Sequence, residues 1–177
     1  MPFSSTDGKQ ETLVWFQQNR ENIKTVLDVG VGSGTYYNLL APSLPEVRWE
    51  GVEVWQPYIT QYALKSKYKH IYHKDIRKLK LEKKYDVGIA GDILEHITKK
   101  EAIEVVNKLL ESCKVLIISI PIIYCPQDAY EGNPYEVHVK PDWTDEEIKE
   151  TWANNIVQSW STKDSIVGVY WLTKETK

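Results

Sequence analysis

Short unbroken runs of apolar residues alternate along the chain with segments whose apolar residues recur at helical spacing. Unbroken β-branched and leucine-rich runs are typical of strands that are buried on both faces of a parallel sheet. Such runs predict strands at residues 25–29 and 115–120. Further strands are predicted at residues 47–54 and 85–90, with a short one that begins at residues 71–72. Helical spacing predicts four helices, at residues 6–22, 35–40, 57–68 and 98–110. This alternation predicts an α/β fold with helices on both faces of a mostly parallel sheet.

Capping and turn residues set several boundaries. Thr98 and Glu101 form a capping box that begins a helix, and Thr144 with Glu147 repeats the pattern for a helix that runs toward residue 154. Thr6 or Asp7 is expected to cap the first helix. Two further strands, 156–160 and 166–172, are predicted to form an antiparallel C-terminal hairpin. The whole pattern predicts a seven-stranded sheet with this hairpin at or near one edge.

Composition narrows the class of protein. The chain has 177 residues, of which 42% are hydrophobic, and we expect residues 1–177 to form a single domain. A net charge of −3 gives no positive field for nucleic acid, so no nucleic-acid partner is expected. No run approaches the ~18 apolar residues of a membrane helix, and no signal pattern is present. With only two cysteines, the expected location is the cytoplasm. The sequence gives no oligomeric state.

A glycine-rich turn carries the strongest chemical signal. Asp28 lies near the end of the first strand, and Gly30, Gly32 and Gly34 follow at alternate positions before a helix begins. Glycine allows a sharp turn and a close approach of ligand to the main chain. The spacing differs from the G-x-G-x-x-G of dinucleotide-binding proteins. The carboxylate disfavours a pyrophosphate and suits a ligand that carries an ammonium group.

This turn resembles motif I of the class I S-adenosylmethionine (SAM)-dependent methyltransferases. The later segment at residues 124–143, with Gly-Asn-Pro-Tyr-Glu-x-His followed by a tryptophan, resembles small bacterial and phage members. The resemblance extends over nearly the whole chain and implies the Rossmann-like methyltransferase fold, with SAM as the cofactor. It also implies that Gly30 and Gly32 contact the carboxypropyl chain of SAM, within a cofactor site that includes Gly34. Asp28 is expected to help hold the amino group of SAM through the turn.

Two acidic residues after the next strands extend the cofactor site. Glu53 ends the second strand about 20 residues after the glycines, where a carboxylate can accept both ribose hydroxyls. Val54 or Trp55 is then expected to lie against adenine. By resemblance, Asp75 accepts a hydrogen bond from the adenine amino group, with the backbone of Ile76 beside the ring.

The segment at residues 90–97 follows the fourth strand, and the resemblance makes it the floor where cofactor and acceptor meet. Gly91 is assigned to the cofactor site, Asp92 is expected next to the methyl group, and His96 is a candidate catalytic residue. The segment resembles small-molecule O- and N-methyltransferases, not the D/N-P-P-Y/F enzymes that methylate base amino groups. Some relatives hold a divalent metal with a similar E-x-x-E-H segment, in which Asp92 here replaces the first glutamate. Glu95 and His96 therefore either orient the acceptor or hold a metal, and we assign no metal ligands.

A long segment at residues 122–142 follows the fifth strand and is well placed to act as a lid. His138 is a candidate general base, because an unperturbed histidine titrates near ~6.5. Tyr135 and Trp143 are candidates for stacking on an aromatic acceptor or on the sulfonium. Alternatively, these aromatic residues only hold the loop in place.

The sequence thus predicts an enzyme that transfers a methyl group from SAM to a small or medium-sized acceptor with an O or N nucleophile. The alternative is a SAM-binding module that is non-catalytic or needs a partner. A nicotinamide-dependent oxidoreductase is a third possibility, against which Asp28 and the glycine spacing both argue.

Overall fold

The structure is a computed structural model that describes residues 5–174. The predicted domain range of 1–177 includes residues 1–4 and 175–177, which lie outside the described part. Seven strands form one sheet: β1 (Thr25–Val29), β2 (Arg48–Glu53), β3 (His70–His73), β4 (Tyr85–Gly91), β5 (Cys113–Pro121), β6 (Ile156–Trp160) and β7 (Val167–Leu172). Their order across the sheet is β3-β2-β1-β4-β5-β7-β6.

The first five strands are parallel, β7 runs antiparallel to β5, and β6 pairs antiparallel with β7 at the edge. This architecture confirms the predicted fold class, including the antiparallel C-terminal hairpin. The chain passes from β1 outward to β2 and β3, and then returns to place β4 on the other side of β1. Such a reversal opens a crevice at the carboxyl ends of the strands.

Helices cover both faces of the sheet: α1 (Lys9–Asn19), α2 (Thr35–Leu40), α3 (Gln56–Gln61), α4 (Leu64–Lys67), α5 (Lys99–Ser112) and α6 (Asp145–Thr151). One apolar cluster lies between the sheet and α1 through α4, and a second lies between the sheet and the pair α5 and α6. Among residues 5–174, no helix has the length and hydropathy that a membrane crossing requires.

The helix predicted over 57–68 is two short helices, α3 and α4. Ala63 lies between them with φ of 49°, a left-handed conformation that breaks the helical hydrogen-bond pattern. The break accompanies the complete burial of Leu64, the first residue of α4. Leu64 belongs to the same apolar cluster as Phe16 of α1. Tertiary packing therefore overrides a local sequence that favours one continuous helix.

The prediction that Thr6 or Asp7 caps α1 is wrong. The N-cap position belongs to Gly8, which has φ of 68° and offers no side-chain cap. The Asp7 carboxylate instead accepts hydrogen bonds from the backbone N–H groups of Ile166 (2.7 Å) and Val167 (3.3 Å). Asp7 thus connects the start of the chain to the start of β7.

The two other capping predictions have different outcomes. Thr98 and Glu101 form the full capping box of α5. The apolar residues that recur at helical spacing in this helix are buried: Ala102, Val105, Val106, Leu109 and Leu110. Thr144 accepts from the backbone N–H of Glu147, but the Glu147 carboxylate pairs with Lys99 and Lys140. Helix α6 ends at Thr151, before the predicted residue 154.

Candidate active site

An open cleft lies at the carboxyl ends of β1, β2 and β4, where the strand order reverses. It has about 980 Å³ of space free of protein atoms, a volume that includes open solvent at its mouth. Twelve residues were assigned to cofactor binding or to catalysis, and nine of them line the cleft: Gly30, Gly32, Glu53, Val54, Asp75, Ile76, Gly91, Asp92 and His96. The other three, Asp28, Gly34 and His138, lie behind this lining.

The glycine turn leaves no room for a side chain at its start. Gly30 has φ of 72°, and a Cβ atom there would come within 2.2 Å of Ile93 Cγ2. Its N–H donates to the Val52 carbonyl at 2.9 Å, which ties the turn to β2. Gly34 has φ of 83° at the N-cap of α2, so it shapes the turn without lining the cleft. Gly30 and Gly32 both line the cleft, so the main chain of the turn forms part of its wall.

Asp28 is buried beneath the turn and does not reach the cleft surface. Its Oδ2 accepts a hydrogen bond from the Tyr68 hydroxyl at 2.6 Å. Burial raises the pKa of Asp28 to about 7, although this hydrogen bond and the Lys9 ammonium act in the opposite direction. Its role toward the amino group of SAM can only be indirect, through the turn, and it stays a prediction.

Glu53 connects the glycine turn to the end of β2. Its Oε2 accepts from the Gly32 N–H at 2.9 Å, and its Oε1 accepts from the Trp55 N–H at 2.7 Å. The side chain is 4% exposed, and burial raises the pKa of Glu53 to about 7 against the effect of these hydrogen bonds. Each oxygen keeps a further lone pair for a ligand hydroxyl.

Asp75 and Ile76 form the third cofactor-side wall with Arg77. The Arg77 guanidinium contacts Asp75 Oδ2 at 2.6 Å and Glu101 Oε1 at 2.8 Å, which joins this wall to the start of α5. Burial raises the pKa of Asp75, but the hydrogen bonds and charge of Arg77 outweigh burial, and the net shift is downward. Asp75 is therefore ionised near neutral pH, and its contact with adenine stays a prediction.

A buried polar network forms the opposite end of the cleft. Asp92 has φ of 52°, its Oδ1 accepts from the Ser119 hydroxyl at 2.8 Å, and its Oδ2 lies 3.9 Å from the Lys9 ammonium. Lys9 also donates to the Tyr36 hydroxyl at 2.8 Å. A Cβ atom at Gly91 would come within 2.1 Å of Tyr36 Cε2, so only glycine fits against this network. Sequence reasoning missed Lys9, because a lysine at the start of a helix gives no signal of burial.

His96 and His138 lie in contact beside this end, with ring centroids 4.8 Å apart. His96 Nδ1 is 3.2 Å from the Val137 carbonyl oxygen, and His138 Nδ1 is hydrogen-bonded to the Cys125 carbonyl oxygen. Burial lowers the pKa of both histidines, so both rings are neutral at pH 7. Burial, reinforced by the nearby Asp92 charge, raises the pKa of the adjacent Glu95 well above its ordinary value.

The segment at residues 122–142 forms one wall of the cleft. Glu136 lines the cleft and accepts from the Tyr58 hydroxyl at 3.0 Å, which connects the segment to α3. Tyr135 also lines the cleft, and its ring centroid lies 6.4 Å from that of Trp55. Sequence reasoning missed Tyr58 and Glu136, because the sequence does not show that α3 and the 122–142 segment meet at the cleft.

The stacking prediction for Trp143 is wrong. Its side chain is 1% exposed and stacks on Trp152 with ring centroids 5.7 Å apart, inside the apolar cluster beneath α5 and α6. The tryptophan that follows the 122–142 segment thus anchors it to the core and does not meet a ligand.

The residues that line the cleft include groups suited to the ribose and to a cationic part of a ligand. Glu53 has lone pairs that can accept from ribose hydroxyls, and the main chain of the turn at Gly30 and Gly32 borders the cleft. At the far end, Asp92 Oδ2 is buried and has no hydrogen-bond partner among residues 5–174, which suits a cationic or hydrogen-donating group. Fold and site therefore define a Rossmann-like α/β protein whose cleft takes an adenosyl cofactor.

The family follows from comparison with known proteins. The family described as "Methyltransferase domain" matches residues 26–115, about half of the chain, and the chain belongs to that family. No curated protein sequence matches it. The predicted methyltransferase class is confirmed. Family membership, together with the carboxylates that line the cleft, makes SAM the cofactor, as predicted.

Solved structures agree on the fold. A SAM-dependent methyltransferase from Clostridium acetobutylicum ATCC 824 has a TM-score of 0.73 at 15% identity, over 96% of this chain and 92% of that one. Magnesium protoporphyrin IX methyltransferase from Synechocystis PCC 6803, with bound SAM, has a TM-score of 0.67 at 18% identity, over 94% and 78%. The plantazolicin methyltransferase BpumL with S-adenosylhomocysteine (SAH) has a TM-score of 0.69 at 13% identity, over 94% and 82%.

Proposed function

We propose that this protein transfers the methyl group of SAM to an oxygen or nitrogen atom of a small or medium-sized acceptor. One observation carries the proposal. The cleft has the glycine turn, Glu53 and Asp75 on its cofactor side, and Asp92 with His96 at its far end. The names of two structural neighbours, which concern a porphyrin and plantazolicin, support an acceptor of this size range.

The residues of the far end need to do little chemistry. Bound SAM supplies a methyl group that is already activated by the sulfonium, so alignment of the acceptor provides most of the rate. Asp92 is held in place by Ser119 and Lys9, and we assign it to the acceptor or the cofactor tail. His96 faces the cleft with a neutral ring and is assigned to the acceptor, whose proton it can take. His138 does not line the cleft, and we assign it an influence on the acceptor through its contact with His96.

The first test is thermal stabilisation of the purified protein by SAM, SAH and NAD. Ligand at 100 times its dissociation constant adds about 2.7 kcal/mol to the folded state. For a domain of this size we expect Tm to rise by roughly 5–11 °C with SAM and SAH, and to stay unchanged with NAD. No shift with SAM or SAH would contradict the proposal.

Replacement of His96 by alanine tests the catalytic end separately. We expect SAH affinity to change less than about threefold, while methyl transfer from labelled SAM to a panel of phenols, alcohols and amines falls by ~10²–10⁴, as for loss of acid–base assistance. His70→Ala, at an exposed histidine that does not line the cleft, is the control. If the wild-type protein binds SAH but methylates no acceptor, the alternative of a partner-dependent module gains support.

A further inference from the structure

Three potential metal-ligating side chains meet beside the acceptor end of the cleft. One ligand atom each from Glu95, His96 and His138 lies within 4.8 Å of the other two. Glu95 and His96 belong to the turn after β4, whereas His138 belongs to the segment at residues 122–142. The two parts of the chain are joined here by a hydrogen bond from the Lys140 N–H to the Glu95 carbonyl oxygen at 3.0 Å.

Both imidazole rings are oriented by backbone carbonyl groups on their Nδ1 side. His96 Nδ1 faces the Val137 oxygen, and His138 Nδ1 faces the Cys125 oxygen. A neutral ring that donates from Nδ1 carries its lone pair on Nε2. Metal-binding histidines commonly donate their other N–H to a backbone carbonyl or carboxylate, which fixes both the tautomer and the ring orientation. The two rings therefore already have the tautomer that a metal ligand needs.

The third side chain has an oxygen with no partner. Glu95 is 2% exposed, and its Oε2 makes no hydrogen bond to any residue between 5 and 174. A buried polar atom left without a partner is destabilising, and an ion that completes the site is one physical explanation. Two imidazole nitrogens and one carboxylate oxygen form a set that suits first-row transition cations better than Mg²⁺ or Ca²⁺.

We propose that Glu95, His96 and His138 bind one divalent transition cation beside the acceptor end of the cleft. Three protein ligands leave at least one coordination position open, as in metal sites that also bind a substrate group. Because His96 lines the cleft, an acceptor oxygen or nitrogen can reach that position. With the cation bound, His96 Nε2 is a ligand and no longer takes the proton of the acceptor. The approach of the acceptor rests on the proposed function, whereas cation binding does not.

The test is direct binding of Co²⁺ to chelator-treated full-length protein, followed by its d–d absorption and by calorimetry. We expect one Co²⁺ per chain, with competition by Zn²⁺ and none by Mg²⁺ at equal concentration. His138→Ala and Glu95→Gln should each weaken Co²⁺ binding at least tenfold, since loss of even an outer-shell partner costs ~10–100-fold. His70→Ala, an exposed histidine on β3, should leave the affinity unchanged.

SAH binding, measured on the same samples, separates this inference from the proposed function. SAH binding without stoichiometric Co²⁺ would overturn the cation site and leave the methyltransferase proposal intact. Equal Co²⁺ affinity in wild type, His138→Ala and His70→Ala would overturn it as well. SAH affinity also reports whether each variant is folded. If His138→Ala is not folded, His138→Gln takes its place. Loss of SAH binding by the wild type would count against the proposed function alone.

Discussion

Replacement of Glu53 by alanine is expected to weaken SAH binding by about 2–3 kcal/mol, or roughly 30–150-fold in Kd. The carboxylate has two roles. It accepts from the Gly32 and Trp55 N–H groups, which fixes the glycine turn against β2, and by our assignment it accepts from the ribose. Hydrogen bonds to a charged group are each worth about 1.5–3 kcal/mol, and alanine removes both roles. Isothermal calorimetry with SAH measures the loss.

Glu50→Ala provides a matched control on the same strand. Glu50 is equally buried, but it faces Lys83 and Tyr85, away from the cleft. We expect Glu50→Ala to lower the free energy of unfolding while SAH affinity stays within about twofold of wild type. Wild-type SAH affinity in Glu53→Ala would refute the ribose assignment.

The raised pKa of Glu53 adds a dependence on pH. The Glu53 carboxyl has a pKa of about 7 in the folded state and about 4.3 in the unfolded chain. Its protonation therefore contributes fully to folding stability below about pH 4.3, and this contribution is lost as pH rises through 7. Ribose hydroxyls favour the ionised form. SAH affinity should therefore fall by up to about tenfold per unit as pH drops below 7. Glu53→Gln should flatten this part of the profile, which separates it from the titration of Asp28.

The sequence predicted those parts of the fold and site that local physics determines. Buried parallel strands appear as unbroken apolar runs, and the residues that follow them converge because parallel strands share one carboxyl edge. Gly30 follows one such strand and Glu53 ends another, the family resemblance adds Asp75 and Asp92, and all four residues line one cleft. The capping box at Thr98 is equally local.

Features that depend on distant contacts could not be predicted. Asp7 has the sequence of a helix cap, but its carboxylate is used by the backbone of β7 at the other end of the chain. Ala63 adopts a left-handed conformation that its side chain does not favour. Trp143 is an aromatic residue in a loop by sequence and a core residue by packing. These outcomes depend on tertiary packing, which the local sequence does not specify.

Lys9 is the clearest such case, and Lys9→Met is expected to lower the free energy of unfolding by about 2–4 kcal/mol. The substitution keeps an apolar stem of similar length and removes the ammonium that lies 3.9 Å from Asp92 Oδ2. Loss of one partner from a buried ion pair costs about 3–5 kcal/mol, and the slight exposure of both side chains places this pair at or below the lower part of that range. Urea unfolding without ligand measures the change.

A double-mutant cycle shows whether the effect comes from Asp92. If Lys9 holds the Asp92 carboxylate, then Asp92→Asn removes most of the penalty, and the double variant Lys9→Met/Asp92→Asn is more stable than the sum of the single changes predicts. Additivity within about 0.5 kcal/mol would mean that Lys9 acts only through Tyr36. Lys100→Met, on the exposed side of α5, controls for the general loss of a positive charge. Because Asp92 adopts a left-handed conformation at the far end of the cleft, coupling to Lys9 would show that α1 contributes to the stability of that conformation.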